Sequence, residues 1–99
     1  MSPTRIPYFD LPQNVRDEVE RTTGEVQHAE SVGAGLNSSV AAVLQASGGN
    51  YFVKALPSDH RWVWTQAAEA DVAPYVRTIA PTLIARIVVH GWDVLTFEA

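Results

Sequence analysis

Ninety-nine residues, 46% of them apolar, suit one small domain with a modest core. The net charge of −4 and the absence of any run of Lys or Arg argue against a nucleic-acid partner, and the lack of cysteine removes disulfides, thiolate nucleophiles and cysteine-based zinc sites together. No apolar run reaches membrane-spanning length and no signal-peptide pattern opens the chain, so no membrane association is expected and a cytoplasmic location is.

Residues 1–10 read as an extended arm with two prolines, from which Ile6, Tyr8 and Phe9 can tuck against the domain. A helix is expected from Leu11: Pro12 suits its first turn, Leu11, Val15 and Val19 recur every four residues, Asp17 can pair with Arg21, and Gly24 ends it. Residues 25–32 alternate as a first strand, with Val26, His28 and Val32 on one side. The second strand, residues 39–46, places Val40, Ala42 and Leu44 on one face and Ala41 and Val43 on the other. A turn over residues 47–50 leads to a third strand, in which Phe52 and Lys54 oppose Tyr51, Val53 and Ala55.

After Pro57, Ser58 or Asp59 can cap a helix running to about Tyr75 or Val76, with Pro74 as a kink. Trp62, Thr65, Glu69, Val72 and Val76 form one stripe on it, so Glu69 sits among apolar residues and calls for a cationic partner, for which Lys54 is the obvious choice. Pro81 opens an alternating strand from Leu83 to Val89; His90-Gly91-Trp92 turns the chain into a last strand over residues 93–98. The expected class is α+β: a five-stranded antiparallel sheet with a helix packed on one face, preceded by a short N-terminal helix.

The chemistry concentrates between Val32 and Ala55. Gly33 and Gly35 let the backbone approach a ligand closely, while Asn37, Ser38 and Ser39 add short polar groups beside exposed amides, as suits a phosphate cradle. Lys54 lies within an otherwise apolar strand, where a lysine is costly unless an anion meets it.

Gly33, Gly35, Ser38 and Val40, followed by Phe52-Val53-Lys54, resemble the G-x-G-x-x-G-x-V loop and V-A-x-K strand of kinase-like folds, with serine at the third glycine. The likeness is to the nucleotide-binding amino-terminal lobe of the aminoglycoside phosphotransferase and related small-molecule kinases. It implies one kinase-like lobe over residues 11–99. Gly33, Gly35, Asn37 and Ser38 would hold phosphates with Lys54. Glu69 would orient Lys54, Val40 and Phe52 would roof the adenine, and Phe97, Glu98 and Ala99 would form the hinge beside the base. The ligand would be ATP or GTP with Mg, and catalysis would need a second lobe carrying the aspartate base and metal ligands, so the 99 residues alone should not transfer phosphate.

The alternative is a non-catalytic module that keeps the lobe scaffold and binds a second copy of itself, or another chain, through an exposed sheet face that includes Val40, Phe52, Leu95 and Phe97. Single features have plainer readings. The glycine loop can be a simple strand connection, Lys54 can reach solvent from an edge strand, and Glu69 can be a solvated helix residue. His28, His60 and His90 are scattered over separate elements and argue against a metal site, the three tryptophans suit packing, and Ser38 and Ser39 lack a histidine and acid in triad context.

Overall fold

The computed structural model describes residues 6–32, 39–60, 63–68 and 82–98. A 3-10 turn at Tyr8–Asp10 precedes α1 (Gln13–Thr23) and the strands β1 (Val26–Ser31), β2 (Val40–Ala46) and β3 (Gly49–Pro57). Residues 64–68 are helical and are termed α2. The strands β4 (Leu83–Val89) and β5 (Trp92–Glu98) complete one antiparallel sheet, ordered β1-β2-β3-β5-β4. The α+β class and the five-stranded antiparallel sheet therefore stand as the sequence led one to expect. Among the described residues no helix is long and apolar enough to cross a membrane.

Helix α1 exists because its apolar residues have somewhere to go. Val15 and Val19 are fully buried, Leu11 nearly so, and all three join one cluster with Tyr8, Val26, Val40, Ala42, Leu44, Val53, Ala55 and Val94. Each such valine or leucine contributes about 1.5–3 kcal/mol on leaving water, ample to hold an eleven-residue helix that would be marginal alone. Pro12 occupies the N-cap position, its carbonyl accepting from Val15 N and Arg16 N, and Gly24, at φ 79°, ends the helix while its N–H donates to Glu20 O. The anticipated Asp17–Arg21 pair does not form: Arg21 lies 3.5 Å from Glu18, and Asp17 accepts from Gln13 Nε2 at 2.8 Å. These are exposed pairs worth a few tenths of a kcal/mol at most, so the exchange is energetically small.

Glu20 ties three segments together, accepting from the Tyr8 hydroxyl at 2.9 Å and from Val26 N at 3.1 Å. Burial, followed by the hydrogen bond to the Glu20 carboxylate, pushes the Tyr8 phenol far above its usual range. The arm is held further along by Ile6 N donating to Ser39 O.

Three local expectations are corrected. A register shift between Val26 and His28 places Val26 and Ala29 toward the α1 side and leaves His28 exposed, so His28 does not share the face of Val26. The β2–β3 turn is tighter than four residues, because Ala46 pairs with Gly49 across Ser47-Gly48 alone. Residues 58–60 form a turn, with His60 N donating to Pro57 O, and helical residues begin only at 64. Ser58 and Asp59 stand too far ahead of residue 64 to occupy its N-cap position, and the Ser58 N–H donates to Gly91 O instead.

Candidate functional site

The face of the sheet turned away from α1 carries the residues with chemistry. β3 is the central strand, and Lys54 stands near its middle, between Ala41 on β2 and Leu95 on β5. It is the only lysine in the chain. The reading of a lysine reaching solvent from an edge strand is thereby removed. Lys54 Nζ lies 5.9 Å from the centroid of the Phe97 ring, within cation–π range. Phe52 pairs with Phe97 across the β3–β5 ladder, their centroids 6.1 Å apart and their planes tilted by 39°.

This places Phe52, Lys54 and Phe97 together, as their assignment to one site requires. Val40 does not join them. It pairs with Ala55, is fully buried, and belongs to the cluster beneath α1. The cause is parity: two loop residues between antiparallel strands pair even-numbered positions with odd ones, so Val40 shares its face with Val53 and Ala55 rather than Phe52. Ala41 and Val43 occupy the Lys54 side of β2 instead. That parity was available from the even length of the Ser47–Asn50 turn.

Gly33, Gly35, Asn37, Ser38, Glu69 and Ala99 lie outside the described residues. The strands flanking residues 33–38 are adjacent, and Val32 N donates to Ala41 O at 2.9 Å, which brings the end of the β1–β2 pair beside the row containing Lys54. Glu98 is exposed at the far end of β5, where it pairs with Tyr51, and its N–H donates to Thr82 O. There an open groove of about 340 Å³ runs between Gly48, Gly49, Asn50, Tyr51, Ile84 and Glu98. Lys54 is not in its walls, so the groove is separate from the lysine.

Sequence reasoning missed two features of this face. Arg86 on β4 shares a cross-strand row with Leu95 and Lys54, and forms a two-pronged ion pair with Asp93: Nη2 to Oδ2 at 2.7 Å and Nε to Oδ1 at 3.3 Å. The Asp93 side chain is only 3% exposed, against 35% for Arg86, so the guanidinium supplies the charge and hydrogen bonds that let a carboxylate be buried. Gln66 of α2 is also buried, and its Nε2 donates to Lys54 O and Asp93 O at 3.1 Å each. Among the described residues no group of three or more His, Asp or Glu side chains is placed to hold a metal ion.

The exposed apolar face anticipated for Val40, Phe52, Leu95 and Phe97 has a different form. Val40 and Leu95 are fully buried and Phe97 is 6% exposed, leaving Phe52 half-buried. Comparisons with models of known families, with curated proteins and with solved structures return no match to this chain.

Proposed function

We propose that this chain forms the nucleotide-binding lobe of a small-molecule phosphotransferase resembling the aminoglycoside phosphotransferases. The observation that carries the reading is the chain's one lysine, on the central strand, with its ammonium over Phe97 and with Phe52 beside that ring. An ammonium is a compact partner for phosphate oxygens, and aromatic side chains offer a purine ring an apolar flank. The preceding glycine-containing segment joins two strands that end beside the lysine's row, which suits backbone amides converging on the same anion. Phe52 and Lys54 thus remain the proposed nucleotide contacts from the described residues, with the buried Phe97 ring behind them. Val40 contributes from beneath the sheet, as support for β2.

The nucleotide is ATP or GTP, accompanied by Mg, whose charge would neutralise the phosphates. This lobe's own residues bind and orient the triphosphate, and the base and metal ligands of phosphate transfer belong to a second lobe. Calorimetric titration tests the reading: wild-type protein should bind ATP or GTP with Mg, and Lys54→Ala should weaken binding at least tenfold while the fold persists. Equal affinity in the two proteins, or no binding of ATP or GTP by folded wild-type protein, would contradict it.

A further inference from the structure

Helix α2 reaches the sheet through a side chain that the nucleotide reading does not use. Gln66 is 2% exposed, and one carboxamide nitrogen donates to two backbone carbonyls on neighbouring strands, Lys54 O on β3 and Asp93 O on β5. Lys54 pairs with Leu95 and Leu56 with Asp93, so the two carbonyls lie diagonally across the β3–β5 ladder. A carbonyl oxygen has two lone pairs and can accept from the ladder and from a side chain together. The carboxamide therefore grips the peptide that follows Lys54 and anchors it to β5 and to the helix at once. In so buried a place the bonds are costly to lose, because removing the donor leaves carbonyls without that partner and water cannot readily enter.

We propose that Gln66 is a positioning residue for Lys54. By fixing the peptide on which the lysine is rooted, it couples the docking of α2 to the placement of the ammonium over Phe97. Movement of the helix relative to the sheet is then felt at Lys54 before it is felt elsewhere on β3. The consequence for nucleotide rests on the function proposed above; the coupling itself does not.

Because the chain has one lysine, protein labelled with carbon-13 at the lysine ε position reports Lys54 alone in a nuclear magnetic resonance spectrum. Gln66→Met keeps the length and apolar bulk of the side chain and removes both donors. It should move the Lys54 signal and weaken ATP binding by roughly tenfold, the effect of about one such hydrogen bond. Val15→Ala, on α1 over the opposite face of the sheet, provides the control: it lowers the melting temperature by opening a cavity yet should leave the Lys54 signal in place. An unmoved signal in Gln66→Met, or an equal movement in Val15→Ala, overturns the proposal. If Gln66→Met does not fold, Gln66→Asn gives the same comparison, since it shortens the reach by one methylene. A moved signal in a protein that binds no nucleotide upholds the coupling and defeats only the nucleotide reading.

Discussion

Among the described residues, Thr96 carries a buried side-chain polar atom left unsatisfied. It is fully buried on β5, and its Oγ1 has no hydrogen-bond partner. Replacing an unpaired buried hydroxyl by a methyl group of similar shape removes a desolvation cost, so Thr96→Val should stabilise the fold by about 1 kcal/mol in urea unfolding. Tyr8 presents the opposite case, a buried hydroxyl with a partner. Its folded-state pKa lies above the ordinary value of 10.0, so the folded state keeps a proton that the unfolded state releases. The associated stability is therefore complete below pH 10 and declines as pH rises beyond it. Alkaline unfolding followed by fluorescence should show that decline in wild type and a shallower one in Tyr8→Phe, which at neutral pH should be less stable by about 1–2 kcal/mol. Lys54 was visible in the sequence because a cation within an apolar strand stands out by itself. Arg86, Asp93 and Gln66 were not, because their partners are set by pairing between strands and by a helix that begins later than its capping residues suggested.

At the scale of elements, the close approach of α1 to the β2–β3 hairpin depends on glycine. Gly48 N donates to Thr23 O, and a side-chain carbon at Gly48 would sit 2.5 Å from that same oxygen. Backbone cannot give way as a flexible side chain could. Gly48→Ala should therefore destabilise the protein by more than about 1 kcal/mol, as a falling midpoint in thermal unfolding, even though position 48 is exposed. An unchanged midpoint would mean that the hairpin shifts off the helix without loss. Element types were legible in α1 and the strands: the four-residue apolar spacing of α1, the alternation of β4 and the turn at His90 and Gly91, whose residues take φ 50° and 82°, all follow from local pattern, whereas the expected helix end near Tyr75 or Val76 and the Pro74 kink lie outside the described residues. Faces were less legible. The shift near Gln27 turned His28 outward, and no periodicity announces a bulge. The parity that put Val40 beneath α1 required relating two strands, whereas alternation describes each strand alone.

For the whole molecule, the sheet divides structure from chemistry. One face is closed by α1 and the arm over Val40, Ala42, Leu44, Val53 and Val94; the other holds Lys54, the phenylalanine pair, the Arg86–Asp93 ion pair and Gln66. A central strand is a rigid base for a binding group, because it is held by ladders on both sides. The central claim is that Lys54 on this strand meets nucleotide phosphate. It is tested most directly by titrating ATP and Mg into protein carrying the single labelled lysine and following its ε-carbon signal. A saturable movement of that signal, accompanied by changes at the Phe52 and Phe97 rings, is the predicted result. A Lys54 signal that stays fixed at millimolar ATP, in protein whose amide spectrum shows it folded, would contradict the account.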